Sequence, residues 1–462
     1  MKKYIWLLPI FSGCLCSSWV WKRELWFDEA LTLLNFVLPL DWLQIYLTYP
    51  IPNNHIVYSI LLKIWDYCYC GGVDIVVFWR MLSTCCAVGM LGIVLYLRKQ
   101  LDNGKSYPAI LTLTAMSVSL IFANYATALR GYAAGWFFIA LALLGLYNIF
   151  HERVRSGWVI YCTGSLLAVG TVPTNLLPLA GAVIYAVAWM PEKFYKNWRF
   201  YAVVAVLPLS LIVFYLPIAG AFLNTLKLGE GFASRSGALA VTLGMYLACF
   251  GLLFIFALLG NCQQRKNWQY DLRWLIWLLP AAAVGLLHRA PFPRVFVTLL
   301  PVLAMLVIDG IAVMAGQRWR NFHKAIFFML VLCTQILLIP GGMLAAEKLQ
   351  LSKYEDDFFH PWYMLPRYRA TAAVQLLQEQ RADRVIFISF AADPLPVLFY
   401  AMNMNVQREF RCDVPFNSVQ QLPRGAILLL RCDESAEHYA KRFNGTLRKL
   451  SGNRQYGLFE LY

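Results

Sequence analysis

Residues 55–70 read HIVYSILLKIWDYCYC, and the path of this segment, through a membrane or along its surface, sets the side on which every later loop lies. Ile56, Ile60, Leu61, Ile64 and Trp65 recur at helical spacing on one face, while Lys63 and Asp66 interrupt the other. That pattern suits a helix lying in the interface better than one crossing it. The basic residues supply the test. With 55–70 lying flat, one side collects the loops holding Arg98, Lys99 and Lys105, then Arg153 and Arg155, then Lys193, Lys196 and Arg199. The same side collects Arg265, Lys266 and Arg273, then Arg318, Arg320 and Lys324, with Lys2 and Lys3 at the N-terminus. Lys and Arg concentrate in cytoplasmic loops. The N-terminus is therefore expected inside, and 22–77 is expected to form one long outside loop.

The composition agrees with a membrane protein. Of 462 residues, 60% are hydrophobic and 14% charged, with mean hydropathy +0.56. A soluble domain has about 25% charged residues. Apolar stretches fall near 4–21, 78–97, 107–125, 131–150, 158–172, 175–190, 200–219, 238–260, 272–288, 293–314 and 324–343. The first resembles a signal peptide, but its length and the bundle behind it favour a membrane anchor. The net charge of +15 comes without a basic stripe interleaved with aromatics, so nucleic acid is not an expected partner. Most of the twelve cysteines lie in apolar spans, where a thiol acts as a small hydrophobe. Cys412 and Cys432 could pair if the C-terminal region is extracytoplasmic. Cys68 and Cys70 have no histidines at metal-ligand spacing.

The expected fold is an all-α polytopic membrane protein of about eleven spans, with interfacial helices in the first outside loop and a small C-terminal α/β domain. The membrane domain would occupy 1–343, and 344–462 would form a soluble extracytoplasmic domain. In the latter, TAAVQLLQEQ, PLPVLFYAM and EHYAKRFNGTLRKL read as helices, and RVIFISF, AILLLRC and YGLFELY as strands. With no glycine-rich phosphate loop and no nucleophile elbow, this domain reads as a binding or structural module.

Chemistry concentrates in the outside loop. RELWFDEALTLLNF, residues 23–36, carries the adjacent acids Asp28 and Glu29 at the bilayer edge. Adjacent residues on a helix point about 100° apart, so the two cannot face each other as an acid–base pair. One could take a proton while the other orients it, binds a cation or caps the helix starting at Ala30. Acids in a first turn are also favoured by the helix dipole alone. Arg80, Arg130, Arg289 and Arg294 fall at outside span ends, against the cytoplasmic bias of basic residues. A guanidinium donates paired hydrogen bonds to phosphate, although snorkelling at helix ends accounts for some such arginines. His55 follows Pro50, Pro52, Asn53 and Asn54, and His288 opens the turn HRAPFPR.

These motifs, in this order and on one side, resemble the GT-C membrane glycosyltransferases. The nearest branch holds the protein mannosyltransferases, the lipid A aminoarabinose transferases and the lipopolysaccharide-core galacturonosyltransferases. The resemblance rests on LWFDEALT, NNHIVYSILLKIW, FWRMLS, ALRGYAAGW and PFPRVFVTLLPVLA, and covers about residues 1–340. His55 is followed by Ile56 where the family commonly has proline, which weakens the carry-over of its role. No lysine follows the histidine as the protein mannosyltransferase pattern requires, which counts against a protein acceptor.

The resemblance implies an inverting transfer from a polyprenyl-phosphate-linked sugar, undecaprenyl or dolichyl, to a hydroxyl of an envelope glycan, lipid or protein. It implies Asp28 as base and Glu29 as its helper. Arg80, His55, Arg130, Arg289 and Arg294 would bind the donor phosphate, with His288, Asn54 and Tyr132 close to donor or acceptor. The family leaves open whether a divalent cation such as Mg2+ or Mn2+ is needed; Asp28 and Glu29 would be the groups to hold it. The expected location is the bacterial cytoplasmic membrane, multi-pass, facing the periplasm. A flippase for lipid-linked saccharides is the main alternative. It would place charges near the midplane of broken helices and show repeats, and no repeat is present. A polymerase or ligase would need larger outside loops than 220–237.

Overall fold

In a computed structural model the described residues are 4–48, 54–102, 107–151, 153–189, 198–228, 238–263, 268–287, 293–315, 329–331, 333, 369–380, 384–414 and 419–462. Their contacts divide the chain into two compact units. One comprises Met1–Lys22 and Leu40–Tyr363, the other Arg23–Pro39 and Met364–Tyr462. The segment carrying Asp28 and Glu29 thus belongs with the C-terminal part of the chain, and not with the helices on either side of it in sequence.

The first unit is helical. Ten of the eleven apolar stretches lie on helices; 324–343 lies largely outside the described residues. Four helices are each long and apolar enough to cross a membrane: α5 (Ile75–Leu101), α8 (Tyr132–Phe150), α11 (Trp198–Tyr215) and the helix at Arg294–Met314, whose α-helical part is α16 (Leu300–Ala315). Two bent pairs bring the number to six. Three shorter apolar helices lie at Ile5–Val20, Pro173–Ala188 and Leu272–Gly285. They include α1 (Leu8–Val20), α10 (Leu176–Trp189) and α15 (Trp268–Leu287). The chain is a multi-pass membrane protein.

Two expected single spans are broken. Residues 107–125 form α6 (Tyr107–Ser117) and α7 (Leu120–Thr127), bent by 69°. Ser119 turns extended, and its hydroxyl accepts from the Phe122 N–H, capping the new helix. Residues 238–260 split into α13 (Ala238–Phe250) and α14 (Leu252–Gln263), bent by 101° at Gly251, whose φ of +57° suits glycine. Helix α9 (Val154–Thr171) packs along α8, and α14 packs on α16. A Cβ placed on Gly260 would lie 2.1 Å from the Gly310 carbonyl oxygen, so these two backbones meet without side chains between them.

Helices α3 (Trp42–Leu47) and α4 (Ile56–Asp66) are the first unit's share of the long loop. Eleven residues of α4 extend about 16 Å, half of what a crossing needs. Its buried residues are Ile56, Val57, Tyr58, Ser59 and Leu62, while Ile64 is exposed. The face buried by packing is therefore turned from the one that the apolar spacing picked out. The reason is polar: Tyr58 Oη and Ser83 Oγ lie 2.7 Å apart, and Ser59 donates to Asn54.

The second unit contains α2 (Phe27–Thr32), α17 (Ala370–Gln378), α18 (Pro394–Asn403), α19 (Ala436–Arg442) and a five-stranded sheet. The strands are β1 (Ile386–Ile388), β2 (Phe410–Cys412), β3 (Ile427–Arg431), β4 (Leu447–Gly452) and β5 (Tyr456–Leu461), in the order β2-β1-β3-β5-β4. Strand β1 runs parallel to both β2 and β3, and β5 is antiparallel to β3 and β4. Ile386, Ile388, Ile427 and Leu429 pack with α17 and α18 on one face; Phe387, Leu428 and Leu430 pack with Tyr439 on the other. Burial on both faces explains why these strands read as unbroken apolar runs.

The expected helix over EHYAKRFNGTLRKL ends at Arg442. Asn444 takes a left-handed φ of 51°, and LRKLSG becomes β4. Cys412 and Cys432 are both free thiols. Strand β1 lies between the strands that carry and precede them, separating them by about 9.6 Å, beyond disulfide reach.

Candidate functional site

Asp28 and Glu29 sit in the first turn of α2, and both are buried. The helix begins at Phe27 with Trp26 as its N-cap, so neither acid is the cap residue expected before Ala30. Glu29 nevertheless does capping work. Its Oε2 accepts from the Trp26 N–H at 3.3 Å, and its Oε1 pairs with Arg23 at 3.3 Å. With an oxygen given to each, Glu29 anchors the start of the helix. Asp28 has a different setting. Its backbone carbonyl accepts from Thr32 Oγ1 at 3.0 Å, and its charge acts on the carboxyl of Asp393, the residue preceding α18. Enclosure pushes the Asp393 carboxyl up to about 6; the Asp28 charge adds to this, and the Arg431 guanidinium opposes it.

The first unit holds the basic group. His55 is the N-cap of α4 and is buried. Its Nδ1 accepts from the Gly131 N–H at 2.8 Å, and its Nε2 lies 2.8 Å from Arg130 Nη2. Burial holds the ring well below the usual imidazole value, and Arg130 and then Arg294 push it the same way. The ring is thus neutral and has a single lone pair to offer. Gly131 and Arg130 are both donors, so one of the two contacts sets donor against donor.

The link between α7 and α8 builds this arrangement. Arg130 and Gly131 lie on it, and Tyr132, the first residue of α8, meets the His55 ring edge-on at 5.5 Å. Arg80 and Ser83, from α5, hold the link in place by donating to the carbonyls of Thr127 at 3.0 Å and Ala128 at 2.7 Å. Arg80 is fully buried and stands at the carbonyl end of α7, where a cation is favoured. Asn54 faces away from His55's work. Its amide donates to the Ile45 and Thr48 carbonyls and ties α3 to α4. Arg294 lies in a short 3-10 helix at Pro293–Leu299, close enough to act on His55 electrostatically. His288 and Arg289 lie outside the described residues. Among the described residues, no three His, Cys, Asp or Glu side chains form a group that could hold a metal ion.

No protein-family model and no characterised protein sequence matches the chain. A solved structure does. The crystal structure of ArnT from Cupriavidus metallidurans in the apo state superposes with a TM-score of 0.57, at 13% identity, over 99% of this chain and 98% of that one. The chain has a GT-C fold like that of ArnT. The similarity to ArnT spans both compact units, so the C-terminal sheet belongs to the shared architecture. At 13% identity the likeness to ArnT carries the fold and leaves the chemistry to the residues above.

Two groups escaped the sequence reading. Asp393 and Arg431 lie in the domain expected to be a binding or structural module. The other group is a buried ionic cluster. Arg98 Nη1 donates to Asp309 Oδ1 at 2.7 Å, and Arg273 donates to Asp309 Oδ2 at 3.0 Å. Tyr185 donates to Asp309, and Asp102 pairs with Arg98 at 2.6 Å. Arg98 and Arg273, expected as cytoplasmic loop charges, are buried in α5 and α15. The available signal was Asp309, an acid inside the apolar stretch 293–314.

Proposed function

We propose that the chain is an inverting glycosyltransferase that moves a sugar from a polyprenyl-phosphate donor to an acceptor hydroxyl at the outer face of the bacterial cytoplasmic membrane. The observation that carries this reading is the buried, neutral His55 ring held 2.8 Å from both the Gly131 N–H and the Arg130 guanidinium, which sets a positive charge beside a ring N–H. A phosphate oxygen is the acceptor that suits it. In the reaction, the acceptor oxygen bonds to the anomeric carbon while the bond from that carbon to the phosphate oxygen breaks. The hydroxyl proton passes to Asp28. Arg130, His55 and Arg294 hold the negative charge that grows on the departing polyprenyl phosphate. Glu29, occupied by Arg23 and the Trp26 amide, keeps the first turn of α2 in register. Arg80 acts through the 127–131 link, by holding the Thr127 carbonyl.

Undecaprenyl phosphate, the leaving group itself, is the probe. The full chain in lipid nanodiscs is expected to bind it, with Arg130→Ala and His55→Ala each weakening affinity about 10- to 100-fold, the range for a lost charge-assisted hydrogen bond. Asp28→Asn is expected to bind it as the native chain does. Equal affinity in all four proteins would contradict the phosphate assignment.

A further inference from the structure

The link from α9 to α10, residues 172–175, lies outside the group that holds the phosphate. Val172 is extended and ends α9, and Pro173–Asn175 form one turn of 3-10 helix before α10. That turn packs against the 3-10 helix at Pro293–Leu299, which carries Arg294. Asn175 is fully buried. Its Nδ2 donates to the Ala168 carbonyl at 2.8 Å, and this bond fixes which way round the amide stands. Among the described residues, the other end of the amide, Oδ1, has no hydrogen-bond partner. The hydroxyl oxygen of Thr174 is enclosed as well, and it has none either.

An enclosed polar atom without a partner costs stability, and each one in a folded protein calls for a reason. A threonine in this segment has an easy local solution. Thr171 takes it, donating to the Leu167 carbonyl at 2.7 Å, and Thr174 does not. The two groups also stand beside the phosphate-binding set. Gly131 and Gly135 lie four residues apart, on one face of the α8 start and about 6 Å along it. A Cβ on Gly131 would meet Thr171 Cγ2 at 2.3 Å and His55 Nδ1 at 2.6 Å. A Cβ on Gly135 would meet Asn175 Nδ2 at 2.9 Å and Oδ1 at 3.7 Å. Successive turns of one helix face thus touch first the imidazole and then the Asn175 amide. Trp136 ties the same stretch to the segment of Arg294, donating to the Val297 carbonyl at 2.8 Å. A sugar ring joined to a phosphate at His55 and Arg130 covers that one-turn separation.

We propose that Thr174 and Asn175 form a subsite that reads hydroxyl groups of the donor sugar. The proposal rests on the phosphate reading of His55 and Arg130. Asn175 Oδ1 accepts from one hydroxyl of the ring, and Thr174 Oγ1 bonds to its neighbour as donor or acceptor. Both groups are neutral, so they select by hydrogen-bond pattern. A site built to bond a hydroxyl discriminates strongly against the analogue that lacks it. Gly135 serves the subsite by leaving room for the amide.

The test measures binding by the full chain in lipid nanodiscs. The probes are undecaprenyl phosphate and undecaprenyl phosphate carrying a hexose, a pentose or a hexuronic acid. The native chain is expected to bind a sugar-bearing probe about tenfold more tightly than undecaprenyl phosphate, the scale of two net hydrogen bonds. Thr174→Val, which keeps the shape of the side chain, and Asn175→Ala should each lose most of that advantage. Both should bind undecaprenyl phosphate as the native chain does, which also shows that they fold. Removing the recognised hydroxyl from the preferred sugar should weaken binding by the native chain and leave the matching variant unaffected. An unchanged preference for the sugar-bearing probe in both variants would overturn the proposal. Equal weakening of the bare and sugar-bearing probes would mark a packing role and overturn it too, as would equal binding of all probes by the native chain. Undecaprenyl phosphate binding unaffected by Arg130→Ala would instead overturn the phosphate reading on which the subsite rests.

Discussion

At the residue scale, the two adjacent acids separate into two jobs. Glu29 gives one oxygen to Arg23 and one to the Trp26 amide, while the Asp28 charge acts on the Asp393 carboxyl. Sequence could not make that division, because both residues suit a first turn and only tertiary partners distinguish them. His55 was expected on the long outside loop and Arg130 at the outside start of a later span, and His55 meets both Arg130 and Tyr132. Arg80 was expected to bind the donor phosphate and Asn54 to lie near donor or acceptor; Arg80 donates to the Thr127 carbonyl, and the Asn54 amide to the Ile45 and Thr48 carbonyls. Gly131 carries the most direct residue-level prediction. A Cβ there would lie 2.3 Å from Thr171 Cγ2 and 2.6 Å from His55 Nδ1, closer than any real contact. Gly131→Ala must displace the imidazole, although it removes no charge and no hydrogen-bonding atom. It is expected to weaken undecaprenyl phosphate binding about tenfold, the scale of one lost hydrogen bond, while the helical content stays native. Affinity matching that of the native chain would show that the ring's position is immaterial.

At the element scale, apolar length located the helices well, and local breaks escaped it. Ser119 and Gly251 interrupt two stretches whose hydropathy runs on without pause. In the C-terminal domain, LRKLSG continued a helical pattern until Asn444 turned the chain into β4. Helix α5 shows how one element serves two tasks. Arg80, near its start, braces the link that carries Arg130, and Arg98, eighteen residues and about 27 Å further on, enters the ionic cluster. That cluster joins α5, α10, α15 and α16 through Asp309. Asp309→Ala would leave two buried guanidiniums without their shared carboxylate, at a cost of roughly 3–5 kcal/mol. The thermal midpoint, followed by intrinsic fluorescence in detergent, is expected to fall by several degrees. A double change of Arg98 and Asp309 to apolar residues should recover part of the loss. An unchanged midpoint in Asp309→Ala would remove the cluster from the account of stability.

At the scale of the whole molecule, the apolar helices and the comparison with ArnT agree on one architecture, a GT-C fold with a small C-terminal sheet domain. What the sequence order hid is that the acid-bearing helix α2 packs with the C-terminal unit, more than three hundred residues away in the chain. No periodicity reports a contact of that range. The central claim is that Asp28 takes the proton from the acceptor, while the donor phosphate is held by other residues. The measurement that tests it most directly is sugar transfer from undecaprenyl-phosphate-linked donors by Asp28→Asn, in a preparation shown to bind undecaprenyl phosphate as the native chain does. Transfer is expected to fall by about 100- to 10,000-fold, the range for loss of a general base, with donor binding intact. Transfer at the native rate by that protein would contradict the account.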